Sequence, residues 1–309
     1  MLCATVTQVT AQPATFGAYR RGIFLVLTGS LCSSWIGLGV RMMESATAWQ
    51  LLVYRAIGVI AFLLVVIAVR NRGRFAATFR NAGPASLVGG LGLAAAFSGG
   101  IVAMQQASVA NAMFLLAGAP FLAAILGRLV LKERVRPAAW VAIATAMAGV
   151  VMMVGEGISF GFFWGNVAGL CGALGLAVFI IALRWGHLTD MLPLNIFGGL
   201  FGLILSGAVC FATGDGIAVS THDAILALAM GAFQLGLALV FITLGSRSVP
   251  AAELSLLTMA EVVLAPLWVY LVFGETAGTL TLVGGALLLA AIVGDALTGL
   301  RDRRPGWSG

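Results

Sequence analysis

LLTMAEVVLAPLW, residues 256–268, decides how this chain is read. Twelve of its thirteen residues are uncharged, and the exception, Glu261, stands near the middle. If the stretch crosses a bilayer, the carboxylate sits near the midplane, where a charged residue costs roughly 2.5–3.5 kcal/mol to insert. Residues placed there at such cost face a cavity or a partner, and seldom lipid. Everything else in the sequence bears on whether the stretch is a span and what the carboxylate is for.

Composition answers the first question. Hydrophobic residues make up 61% of the 309 positions and charged residues 9%, with a mean hydropathy of +1.08. Soluble domains carry about 45–50% apolar and about 25% charged residues. The chain is therefore read as an all-α integral membrane protein. Runs of about 20 apolar residues, the length needed to cross, fall at 22–40, 47–69, 83–105, 108–131, 137–155, 163–184, 192–213, 222–245, 250–273 and 277–298. Residues 1–19 form a mildly polar tail. The apolar run after Arg20 and Arg21 is read as the first span rather than a cleaved signal.

The basic residues orient these ten spans. Of seventeen Lys and Arg, fourteen lie at one set of alternate ends: Arg20, Arg21, Arg70, Arg72, Arg74, Arg80, Lys132, Arg134, Arg136, Arg184, Arg247, Arg301, Arg303 and Arg304. Only Arg41 lies at the other set, and Arg55 and Arg128 lie within spans. Positive charge collects on the cytoplasmic side, so both termini are expected there, in a bacterial-type inner membrane. The same distribution removes a nucleic-acid reading of the net charge of +6, because the charges are scattered over many loops with no aromatic-rich surface.

The sequence repeats. PFLAAILGRLVLKE (120–133) and VVLAPLWVYLVFGE (262–275) each close on a glutamate, at an offset of 142. At an offset of 143, Gly22, Gly29, Leu31 and Arg41 meet Gly165, Gly172, Leu174 and Arg184. Two units of five spans follow, 20–155 and 163–298, with a C-terminal tail at 299–309. Five is odd, so the second unit enters from the opposite side. Two inverted five-helix repeats around a central cavity are expected, the design of many secondary transporters.

Polar groups inside the spans are the candidate path. Ser255, Thr258 and Glu261 fall at i, i+3 and i+6, one helix face. Ser33 and Ser34 stand in span 1, Ser98 in span 3, Asn111 in span 4 and Gln234 in span 8. Single Ser or Thr residues in membrane helices usually bond back to their own helix, whereas a stripe leading to a carboxylate fits a water-accessible path. Trp35, Phe97, Phe114, Phe179 and Phe241 could supply its apolar wall. Glu261 reads either as that path's polar wall, with proton coupling, or as a structural glutamate. Arg55, which keeps its charge, is a structural or gating charge, and depth alone allows it to meet Glu261.

Other chemistries find no support. No phosphate-binding glycine loop in a strand–turn–helix setting occurs, so ATP is not expected as a partner. Cys3, Cys32, Cys171 and Cys210 show no metal-site spacing, and no cofactor is expected beyond a coupled proton. His187 and His222 fall at opposite faces, with no catalytic motif for an intramembrane enzyme. A pore-forming channel is the alternative from another class, although the rings of charge or carbonyl filter that it would show are not legible.

At this point the chain resembles the drug/metabolite transporter superfamily, EamA type. The resemblance rests on QQASVANAMFLLAGAPFLAAILGRLVLKE (105–133), LLTMAEVVLAPLWVYLVFGE (256–275) and Arg55 after Tyr54, and covers 20–298. One departure is Glu261-Val262 where the family often has Glu-Pro, with Pro266 four residues later. The resemblance implies a monomer or homodimer that exports a small-molecule substrate, often an amino acid, by alternating access. The narrower pattern is similar to aromatic amino-acid exporters of the YddG kind, with cationic drugs as the alternative cargo.

Overall fold

The structure, a computed structural model, describes residues 16–70, 83–132, 137–186, 192–245, 248–249, 257–258 and 260–302. The described residues form helices and no strands. Eight of these helices are long and apolar enough to cross a membrane, and two shorter apolar ones, Ala260–Phe273 and Thr279–Asp295, complete the order of ten. Ten crossings return the chain to its starting side. The ends near residues 16 and 302 therefore share one face, here the terminal face, and the connections after spans 1, 3, 5, 7 and 9 lie on the opposite face.

Three spans are less regular than their hydropathy predicts. Span 1 is two helices, Phe16–Ser33 and Ile36–Arg41, separated at Ser34 and Trp35. Span 4 is also two, Val109–Ala117 and Ala119–Val130, with Gly118 between them and Pro120 in the first turn of the second. Proline lacks the N–H that an unbroken helix needs. Span 8 runs Thr221–Ala229, then a π-helical segment Met230–Leu237, then Ala238–Gly245. Apolar period cannot reveal such breaks, because each piece keeps a lipid-compatible sequence.

Packing follows the repeat. Span 3 (Pro84–Gln106) packs most extensively on span 6 (Phe163–Trp185), and span 8 makes the equivalent contact with span 1. Span 2 (Ala48–Arg70) packs on span 7 (Leu192–Thr213), and span 5 (Pro137–Ser159) on span 10. Exchanging the halves maps each pairing onto another or onto itself, as a two-fold axis requires. Two equivalent bundles result, one of spans 1, 8 and 9 and one of spans 3, 4 and 6, flanked by the pairs 2–7 and 5–10. Small residues permit the close approach expected in lipid. A Cβ added to Gly92 of span 3 would sit 2.6 Å from the Gly175 carbonyl oxygen of span 6.

Candidate functional site

The break in span 1 leaves the last carbonyls of its first helix without partners one turn on. Gln234, in the π-helical segment of span 8, fills one of these places: its Nε2 donates to the Ser33 carbonyl at 2.8 Å. Gly231 allows this, since a Cβ there would collide with the Arg55 carbonyl oxygen of span 2. With the two backbones pressed together, Arg55 Nη2 reaches Gln234 Oε1 at 3.4 Å. On the other side, Ser33 Oγ donates to Glu261 Oε2 at 2.6 Å. The Ser30 carbonyl lies 3.1 Å from the same hydroxyl; one proton serves both, and the carboxylate is the nearer, stronger acceptor.

Arg55 and Glu261 are thus joined through Gln234 and Ser33 among the described residues. Arg55 is 3% exposed, and its guanidinium carbon stands 5.0 Å from the centre of the Phe97 ring. Cation–π contact of this kind strengthens when desolvated.

These groups share one cavity of about 390 Å³ between the two bundles, within the usual range for small-molecule sites. Ser33, Arg55, Asn195, Gln234, Thr258 and Glu261 supply its polar points, and Phe97, Phe179, Leu93 and Met104 are part of its apolar wall. Two of the four buried side-chain atoms without a hydrogen-bond partner among the described residues, Arg55 Nε and Asn195 Oδ1, belong to lining residues. A buried polar atom without a partner is rare enough to need a reason. Here one unfilled donor and one unfilled acceptor, both buried, belong to side chains that line a chamber sized for a ligand.

Of the residues expected along the path, Glu261, Gln234, Thr258, Ser33, Phe97 and Phe179 line this cavity, and Arg55 joins them as part of the wall. Ser255 lies outside the described residues. Six others are corrected to different places. The cavity takes Leu93, Ala96, Phe97, Gly100, Ile101 and Met104 from span 3, one helix face, and Ser98 is turned about 100° from Phe97 and buried outside the lining. Phe114 and Phe241 are displaced likewise, one position beyond the lining residues Met113 and one before Ile242. Phe114 instead packs against Gly285 of span 10 and borders a separate side pocket. Asn111 donates to Asn166 Oδ1, tying span 4 to span 6. Ser34 accepts from Trp268 Nε1 at 3.0 Å, and Trp35, 51% exposed, leans on the Trp268 ring outside the cavity.

Asn195 was not singled out from the sequence. It sits three residues into the span 7 helix, Leu192–Thr213, where an Asn reads as a loop remnant. The usable signal was its place four residues after Met191, within an otherwise apolar run, but only the packing of span 7 on span 3 aims it inward.

Comparison with known proteins now places the chain. No curated protein matches it. Fifteen solved chains do, among them a crystal structure with 19% sequence identity and a TM-score of 0.64, covering 92% of this chain and 99% of its own. At that identity the likeness is one of fold. The sequence itself matches the EamA-like transporter family twice, over residues 20–155 and 163–294. With two family matches across nearly all of ten packed spans, the chain belongs to the EamA-like transporter family, multi-pass membrane transporters of small molecules.

Proposed function

We propose that the chain is a secondary transporter that exports amino acids with hydrophobic or aromatic side chains by alternating access through the cavity between its two bundles. The observation that carries this reading is the pairing, in one largely apolar chamber, of a permanent cation, Arg55, with a carboxylate, Glu261. A zwitterion needs one charge of each sign, and its side chain needs apolar walls such as Phe97 and Phe179. Among the lining side chains, the Arg55 guanidinium is a donor for a carboxylate, and the Asn195 and Glu261 side chains offer acceptors for an ammonium. Cationic drugs fit less well, because Arg55 repels them from the chamber that Glu261 and the aromatic rings would offer.

The reading assumes a bacterial-type inner membrane, and the one-sided arginine distribution supports cytoplasmic termini. Coupling to protons would run through Glu261. Protein reconstituted in liposomes and loaded with labelled phenylalanine or leucine should show saturable efflux that unlabelled hydrophobic amino acids inhibit. Saturable flux of organic cations with none for any amino acid would sink the substrate assignment. Single-channel currents from the purified protein would replace transport with a pore.

A further inference from the structure

Three carboxylates fasten the opposite face. Asp223, at the start of span 8, accepts from the backbone N–H groups of Glu44, Ser45 and Ala46 at 2.9, 3.1 and 3.0 Å. Glu156, near the end of span 5, accepts from those of Leu280 and Thr281 at the start of span 10. Glu275, past span 9, pairs with Arg41 at the end of span 1 at 2.6 Å. They do different work. Asp223 joins span 8 to the loop after span 1, inside one bundle. Glu156 joins the two members of the flanking pair 5–10. The Arg41–Glu275 pair also lies within one bundle, but its remaining capacity is turned on the other. Arg41 Nη2 donates to the Ala107 carbonyl at 2.8 Å, and Glu275 Oε1 accepts from Val109 N–H at 2.8 Å. Gln105 adds a 3.2 Å bond to the Ala46 carbonyl.

Among the described residues, these three inter-bundle bonds converge on one turn, 105–109, between spans 3 and 4. We infer that this turn, seated in the Arg41–Glu275 fork, is the gate of the opposite face: the face opens when the turn leaves the fork while the two charges stay paired. The inference rests on the alternating-access reading, in which one bundle rocks against the other. The side chains of Arg41 and Glu275 are 26% and 22% exposed, so water can take over the vacated bonds as the turn departs. Asp223, with no exposure, has no such replacement and stays a fixed brace. Gly37 completes the seat by admitting the Val109 side chain against span 1.

Val109 is the first residue of its helix, after the cap Ser108. Proline is tolerated at that position because its missing N–H is not used within the helix, so Val109→Pro deletes the bond to Glu275, and Val109→Ala, which keeps the N–H, controls for the side-chain packing lost on Gly37. The test is a distance measurement by electron paramagnetic resonance on full-length protein in lipid nanodiscs. Spin labels go at Trp164 and Thr221, exposed at the opposite-face ends of spans 6 and 8, with native cysteines replaced. Val109→Pro should raise the ratio of long to short distances about tenfold, the effect of one charge-assisted hydrogen bond; Glu275→Gln, which keeps an acceptor but loses the charge, should raise it by a smaller factor, and Val109→Ala should raise it less than Val109→Pro. The double exchange Arg41→Glu with Glu275→Arg keeps an ion pair but sets an acceptor against the Ala107 carbonyl and a donor against Val109 N–H. It should stay open. Unmoved distances in both Val109→Pro and Glu275→Gln, or closure restored by the exchange, overturn the gate. Because no substrate is needed, unmoved distances with intact efflux reject the gate alone, whereas shifted distances without any solute flux reject the transport reading.

Discussion

Ser33 Oγ donates a 2.6 Å hydrogen bond to Glu261 Oε2, joining the break in span 1 to the middle of span 9. The contact crosses 228 residues of sequence and brings the carboxylate to the cavity wall within reach of the Gln234–Arg55 link. It also ties the chamber's charge to the one irregular point of span 1, so a change in either is felt by the other.

Glu261→Gln keeps the size of the side chain and the acceptor for Ser33 but removes the charge. If Glu261 couples transport to protons, efflux by the variant becomes independent of pH, and a proton gradient no longer drives accumulation. Liposome flux measured across a pH series decides this. PH dependence equal to wild type would make Glu261 a structural hydrogen-bond acceptor.

Arg55→Lys retains a positive charge but not the flat guanidinium that covers Phe97 and reaches Gln234. An ammonium cannot reproduce a stacked, forked contact. Apparent affinity for a zwitterionic amino acid should fall about tenfold, one lost charge-assisted bond. Competition by the corresponding decarboxylated amine should fall less, because that ligand offers Arg55 nothing. Equal losses for both ligands would remove Arg55 from carboxylate recognition.

Gly231→Ala places a methyl group against the Arg55 carbonyl oxygen, a backbone atom that cannot swing aside. Spans 2 and 8 must then separate, at a cost of about 1–3 kcal/mol. A lower melting temperature in detergent and weakened transport should appear together. Gly207→Ala, where a Cβ meets nothing within 4 Å, should leave both unchanged.

Asp223→Ala strips the acceptor from three backbone N–H groups of the loop at 44–46. Thermal stability should fall, with Asp223→Asn intermediate because its carbonyl oxygen still accepts. Protection of the amides of residues 44–46 from hydrogen exchange should drop in the same order. Wild-type protection in Asp223→Ala would show that the loop does not depend on this brace.

Glu261, Gln234, Thr258, Ser33, Phe97 and Phe179 were legible as cavity candidates because polar or aromatic groups inside spans have few other uses. Ser98, Phe114 and Phe241 were misplaced for one reason: hydropathy fixes how deep a residue lies but not which way its helix is turned, and one position of slip rotates a side chain by about 100°. Asn111 and Ser34 went astray because a polar group in lipid can be satisfied by a neighbouring helix as well as by a cavity. Asn195 was overlooked because an amide near a helix start carries no mark of the helix it will face.

The sequence by itself determined the membrane, the number of crossings and the duplication, since each depends on quantities that add along the chain: apolar length, the side on which charge collects, and self-similarity at one offset. Tertiary structure alone decided that Arg55 and Glu261 share a chamber, that Gln234 and Ser33 connect them, and that Arg41 and Glu275 close around a turn of the other bundle. Those outcomes depend on helix rotation and on breaks at Ser34, Gly118 and the π-helical segment of span 8. Both are set by contacts between residues far apart in sequence, which no local pattern records.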